Sequence, residues 1–209
     1  RRPAGSRRGR RSPETAPALP ARSECGGRVG TSRRYPGRMV AALECYLDVD
    51  ATRRVRALWD AMEAAGIPSL RDLTHRRHRP HLSLVVAERL DPAVVTAALS
   101  GLPPCPPLSL RLDFVGQFVG RVLWLGPVPS AELLAHQATV YQRLTDAGVE
   151  IDPLYRPGCW VPHCTMSMRV PRPVLTEAVR LCLETLPIPA RLVGAAVADH
   201  KRGEYHPLP

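Results

Sequence analysis

One short unit occurs twice in this chain. Residues 80–84 read Pro-His-Leu-Ser-Leu and residues 162–166 read Pro-His-Cys-Thr-Met, so each is proline, histidine, apolar, hydroxyl, apolar. Of the seven histidines, only His81 and His163 open a His-x-Ser/Thr triplet. The segments downstream of the two copies also repeat. Arg89-Leu-Asp-Pro-Ala-Val-Val-Thr-Ala-Ala-Leu, ending in Gly-Leu-Pro, echoes Val170-Pro-Arg-Pro-Val-Leu-Thr-Glu-Ala-Val-Arg-Leu, ending in Thr-Leu-Pro. Two copies of strand, turn and helix, each opened by a histidine, constrain the chain to a duplicated architecture in which two lobes face one cleft.

Charge separates the chain into two parts. Residues 1–38 hold eleven Arg and two acidic residues, whereas residues 39–209 hold eighteen Lys/Arg against seventeen acids. The body is close to neutral, so its overall charge does not mark it as a nucleic-acid binder; a basic groove there needs local clustering. The first 38 residues are rich in Arg, Pro, Gly and Ser and poor in apolar material, so they are expected to be a disordered tail. They lack the apolar core of a secretory signal. Regular patterning begins at Met39, and the favoured reading is that translation starts there.

Residues 39–209 then form one domain, long enough to bury a proper core. The six cysteines include no Cys-x-x-Cys pair, and a chain of this size needs no disulfide staples, so reduced thiols are expected. No run approaches the ~18 apolar residues that span a bilayer. The expected setting is the cytoplasm, with no membrane partner.

Periodicity gives the elements. Strands are expected at 40–48, 81–87, 108–115, 121–126, 163–170 and 190–199, with 203–209 as an added edge strand. A helix capped by Asp50 or Thr52 carries Val55, Leu58, Trp59, Met62 and Ala65 on its apolar face and ends at Gly66. Others run from Asp91-Pro92 to about Leu102, from Ser130 to about Ala147, and over 173–186. Residues 69–80 and 149–161 read as loops. The alternation gives an α+β fold: a bilobal, pseudo-two-fold duplication of two antiparallel sheets facing a central cleft, with helices outside.

Side chains alternate faces along a strand. His81 and Ser83 therefore share one face, with Leu82 and Leu84 on the other. The same parity pairs His163 with Thr165 against Cys164 and Met166. An imidazole beside a hydroxyl, presented twice, suits acid–base work at one phosphorus. Imidazole titrates near neutrality, so one ring can be neutral and the other charged. The hydroxyls can hold phosphoryl oxygens as charge grows on them. No metal ion or other cofactor is required by that chemistry.

The paired Pro-His-x-Ser/Thr-apolar motifs, 82 positions apart, resemble the 2H phosphoesterase superfamily, and most closely its 2′-5′ RNA ligase-like and RNA 2′,3′-cyclic phosphodiesterase branch. The stretch Tyr155-Arg-Pro-Gly-Cys-Trp-Val-Pro-His-Cys-Thr-Met carries the closest likeness, and the resemblance spans roughly 39–209. It implies a metal-independent phosphodiesterase acting on 2′,3′-cyclic phosphates or 2′-5′ linkages of RNA ends or small nucleotides. By position it makes His81 and His163 the catalytic pair and Ser83 and Thr165 the phosphate-holding hydroxyls. Ser83 stands where threonine is more usual and keeps the hydroxyl. The alternative is a non-catalytic RNA- or nucleotide-binding module that uses the same cleft; keeping both histidines and both hydroxyls favours the enzyme.

Other residues carry weaker signals. Arg76, Arg77 and Arg79 abut the first motif and suit a substrate phosphate. Tyr155, Arg156 and Trp160 precede the second, where an aromatic ring can stack on a base; Trp160 fits a core place equally well. Trp59 and Trp124 read as core. His75, His78 and His81 recur at three-residue steps, with Cys159 four before His163, but no four-ligand set has metal-site spacing, and His75 and His78 read as solvated.

Overall fold

The computed structural model describes residues 41–73, 78–200 and 202–209. The expectations for residues 1–38, for Met39 and for His75, Arg76 and Arg77 lie outside the described residues.

Among the described residues, seven strands and five α-helices follow one another along the chain. They are β1 (Ala41–Leu47), α1 (Val49–Ala64), α2 (Leu70–Leu73), β2 (His81–Ala87), α3 (Pro92–Ala98), β3 (Ser109–Phe118), β4 (Val122–Pro127), α4 (Ala131–Asp146), β5 (Cys164–Ser167), α5 (Leu175–Thr185), β6 (Ile188–Asp199) and β7 (Glu204–Leu208). Every strand pairing is antiparallel. The α+β class expected from the sequence holds.

The strands form one sheet of order β2-β1-β6-β3-β4-β5, with β7 added on β6. The expectation of two sheets meets a continuous one, because β6 serves both groups. Its first residues, Ile188 to Arg191, pair with β3, and Leu192 to Asp199 pair with β1. The two strands that carry the histidine motifs, β2 and β5, lie at opposite ends of this order yet contact each other. The sheet therefore curls until its ends meet.

Local chemistry sets the element ends. Asp48, not Asp50 or Thr52, caps α1: its side chain accepts from the N–H groups of Asp50 and Ala51 at 3.0 Å. Such caps contribute on the order of 1 kcal/mol. Ser130 caps α4 and Asp91-Pro92 opens α3, as the sequence indicates. Gly66 and Gly148 take φ of 72° and 80° just past α1 and α4, a left-handed turn that glycine makes without a Cβ clash. Ala65, expected on the apolar face, is exposed because the helix ends there.

The core joins the sheet to its helices. Val55, Leu58, Trp59 and Met62 of α1 are buried, as are Leu133, Val140 and Leu144 of α4. Full burial of such side chains contributes roughly 1.5–3 kcal/mol each before chain entropy is set against it. Among the described residues, Cys45, Cys105, Cys164 and Cys182 are free thiols.

Candidate active site

The two motifs adopt the parity their sequence implies. Leu82 and Leu84 are fully buried between His81 and Ser83, and Cys164 and Met166 are buried between the less covered His163 and Thr165. His81 begins β2, whereas His163 sits one residue before β5. That second strand is shorter than the expected 163–170.

Each histidine is oriented in the same way. His81 Nδ1 lies 2.8 Å from the carbonyl oxygen of Arg79, and His163 Nδ1 lies 2.7 Å from that of Val161. In both, the acceptor is the carbonyl two residues upstream. A carbonyl can only accept, so in both rings Nδ1 carries the proton and donates, and Nε2 is left free of the backbone tether.

Three contacts tie β2 to the segment leading into β5. Trp160 Nε1 donates to the Ser83 carbonyl at 3.1 Å. Asp152 N–H donates to the Val86 carbonyl at 2.8 Å. Buried Gln137 of α4 donates from Nε2 to the carbonyls of Leu84 and Tyr155 at 3.1 and 2.7 Å. These bonds engage carbonyls of β2, whose outer edge, among the described residues, has one bridge, Ala87 to Ile151.

The surroundings of the two rings differ. His163 packs edge-on against Phe118, with centroids 4.8 Å apart, and lies 6.0 Å from Trp124. Its pKa is lowered, first by burial and further by the charge of His81, against the pull of the Val161 carbonyl. His81 instead faces an acid. Its Nε2 lies 3.3 Å from Oε1 of Glu44, a β1 residue that is 1% exposed. The same oxygen accepts from His200 Nε2 at 2.7 Å. Burial acts to raise the Glu44 pKa, but His81, the His200 hydrogen bond and His78 outweigh it and hold it down to about 2. Glu44 is thus an ionised carboxylate inside the protein. His81 thus has Nδ1 facing a carbonyl and Nε2 facing a carboxylate.

Sequence reasoning missed Glu44, His200 and Trp124. Glu44 is the lone charge in a strand whose every residue is buried, Ala-Ala-Leu-Glu-Cys-Tyr-Leu, and that oddity is a readable signal. His200 lies 156 positions from Glu44, and nothing local marks it. Trp124, read as core, is half-buried on the face opposite Leu123 and Leu125, paired with Thr165 and Gly116. Strand alternation applied to Leu-Trp-Leu places it there. A Cβ on Gly116 would stand 2.1 Å from its ring, so the indole lies directly on the neighbouring strand.

The proposed substrate contacts divide. Arg79 is exposed and lies over the Tyr46 ring, with 3.9 Å from Cζ to the centroid. Tyr46 pairs in register with His81. Arg79 and Tyr46, with Tyr205, line a pocket of about 360 Å³. Arg156 is exposed and Tyr155 is half-buried against the core. Trp160 is not a free stacking surface: it is 7% exposed, sits in the core, and commits its N–H to Ser83. His78, expected to be solvated, is 5% exposed beneath the β2 start.

Residues 48–204 match the family model of the 2′-5′ RNA ligase superfamily. The chain belongs to that superfamily. Solved structures agree in fold. A structure described as a phosphoesterase is 21% identical, with a TM-score of 0.52, over 82% of this chain and 96% of the other. E. coli LigT complexed with 3′-AMP is 17% identical, with a TM-score of 0.54. LigT complexed with NADP+ is 22% identical, with a TM-score of 0.51. Each LigT comparison covers 82% of this chain and 95% of LigT. No curated protein sequence matches the chain. Among the described residues of this superfamily member, no helix is long and apolar enough to cross a membrane.

Proposed function

We propose that the protein is a phosphodiesterase that opens 2′,3′-cyclic phosphates, or cleaves 2′-5′ linkages, at RNA ends or in small nucleotides. Its proton carriers are His81 and His163. The observation that carries this reading is the matched orientation of the two rings: each is fixed through Nδ1 by the carbonyl two residues upstream, so each presents Nε2. The binding of 3′-AMP and NADP+ by LigT supports a nucleotide ligand.

In this reading the two histidines take different roles. His163 is held neutral by burial, so its Nε2 lone pair takes a proton from water as the water oxygen attacks phosphorus. His81, beside the ionised Glu44, delivers its Nε2 proton to the departing 3′-oxygen. The P–O3′ bond breaks, the new P–O bond forms, and the product carries a 2′-phosphate. Ser83 and Thr165 donate hydrogen bonds to the non-bridging oxygens as charge accumulates on them. Arg79 stands at the rim to draw in a second phosphate. Two imidazoles move both protons, so the step needs no metal ion.

The test is turnover of a 2′,3′-cyclic nucleotide and of an oligonucleotide ending in a cyclic phosphate, with product analysis to identify the oxygen that keeps the phosphate. His81→Ala and His163→Ala are each expected to lower turnover by about 10²–10⁴-fold without loss of the fold. Absence of cleavage by the wild-type protein across cyclic and 2′-5′ substrates excludes the reading.

A further inference from the structure

Beside the reaction site lies a group of side chains that the proposed chemistry does not use in full. Glu44, His78 and His81 are all buried, and one ligand atom from each lies within 4.8 Å of the other two. The His78 ring centroid is 4.8 Å from that of His81 and 5.1 Å from that of His200. Among the described residues, neither nitrogen of His78 has a hydrogen-bond partner. A buried imidazole with no partner leaves polar atoms unsatisfied, which is costly unless something else engages them.

We infer that Glu44, His78 and His81 form a binding site for a divalent transition-metal ion, best suited to zinc, whose occupancy takes His81 out of the reaction. Two histidines and one carboxylate are a donor set that zinc accepts with a fourth position left open. Zn–N and Zn–O bonds of about 2.0–2.2 Å in a tetrahedron put ligand atoms roughly 3.4 Å apart. The contact between His81 and Glu44 is already 3.3 Å, so only His78 has to close in, by an ångström or so.

The surroundings complete such a site. The His81 Nδ1–H donates to the Arg79 carbonyl, the outer-shell bond that fixes a metal-bound imidazole with Nε2 as the ligand atom. The His200 N–H holds the Glu44 carboxylate from outside. His163 has the first of these features but no acid in its described contacts. The fourth position falls to water.

A metal ion on His81 Nε2 occupies the lone pair that would carry the proton. Bound zinc therefore inhibits rather than activates. That consequence rests on the function proposed above; the binding does not. This regulation also sets the conditions under which the enzyme works, because chelation and free zinc then act as opposite switches on one residue.

The experiment uses the full chain, stripped with chelator and desalted. Zinc is titrated against a competing indicator, Co²⁺ binding is followed by its visible absorption, and turnover of a 2′,3′-cyclic nucleotide is measured alongside. One equivalent of metal is expected to bind, Co²⁺ to show the intense absorption of a tetrahedral site, and zinc to cut turnover at least about tenfold, reversibly with chelator. His78→Ala is expected to weaken binding by about 10–100-fold, as loss of a supporting group typically does or more, and to keep its turnover in chelator. His78→Gln replaces it if the alanine variant does not fold.

No zinc binding by the wild type, equal binding by the folded His78 variant, or faster turnover with zinc overturns the inference. Zinc binding that depends on His78 in a protein without phosphodiesterase activity supports the site and removes the function. Chelator-treated protein that is active and indifferent to zinc does the reverse.

Discussion

Oε1 of Glu44 lies 3.3 Å from Nε2 of His81, and this buried carboxylate makes the two motif histidines unequal. His163 has the same backbone tether but aromatic neighbours, Phe118 and Trp124, in place of an acid. The two motifs thus have different electrostatic surroundings, which suits the acid and the base of the proposed reaction.

In the proposed reaction Glu44 is a positioning residue for His81. Glu44→Gln keeps the side-chain volume and removes the charge that faces His81 Nε2 at 3.3 Å. Turnover is expected to fall about tenfold with little change in KM. Glu44→Asp, which restores the charge with a shorter reach, is expected to recover part of that turnover. An unchanged kcat in the glutamine variant, or a loss that the aspartate variant does not recover at all, contradicts the role.

With His163 as the proposed base, its lowered pKa gives the sign of the acidic limb. A base must be unprotonated to accept a proton, so activity is expected to rise with pH as His163 loses its own. Because burial and His81 lower its pKa, the midpoint of that limb in kcat/KM falls below the ordinary imidazole value of about 6.5. The same shift has a stability sign. Below about pH 6.5 the unfolded chain binds a proton that folded His163 resists, so this group costs stability as the pH falls. His163→Phe is expected to lose activity and to melt with a shallower decline between pH 7 and 5. The measurements are rate profiles in chelator and thermal melts across that range.

The sequence discloses what depends on neighbours along the chain and hides what depends on neighbours across it. His81 with Ser83, and His163 with Thr165, are legible because a strand alternates every second residue, whatever it pairs with. Asp91-Pro92, Ser130 and Gly148 act within a turn of where they stand, so their helix ends are legible too. Glu44 is different. Its role comes from β1 lying against β2, which brings it opposite Ser83, and from His200 at the far end of β6. His78 reads as solvated because of the arginines beside it, yet it lies just before β2 and is 5% exposed. The union of the two strand groups turns on β6, whose length decides whether one strand serves both.

Trp124 offers a test of close packing at the cleft. Its ring lies over Gly116 and near Gly126, where added Cβ atoms would stand 2.1 and 2.7 Å from the indole. Gly116→Ala is expected to cost about 1–3 kcal/mol in denaturant unfolding, the usual range for overpacking. It is also expected to lower turnover, because the displaced ring moves against His163. In a Trp124→Leu background the same alanine is expected to cost little, since nothing then occupies the space. Equal costs in the two backgrounds would show that the indole is not what the Cβ meets.

Trp160 separates two ideas about the segment before the second motif. A base-stacking role makes the flat ring the essential feature, so Trp160→Phe keeps function and Trp160→Ala raises KM. The structure buries the ring and uses its N–H to hold the Ser83 carbonyl at 3.1 Å. Phenylalanine then fills most of the space but leaves that carbonyl, on the outer edge of β2, without its partner. Trp160→Phe is expected to lose about 1 kcal/mol of stability, the net worth of a typical hydrogen bond. It is also expected to lower kcat severalfold with KM nearly unchanged, because Ser83 and His81 are carried by the strand that the bond holds. Unfolding curves and steady-state kinetics on a cyclic nucleotide read both quantities. Full activity in the phenylalanine variant, with a raised KM in the alanine variant alone, returns Trp160 to the substrate.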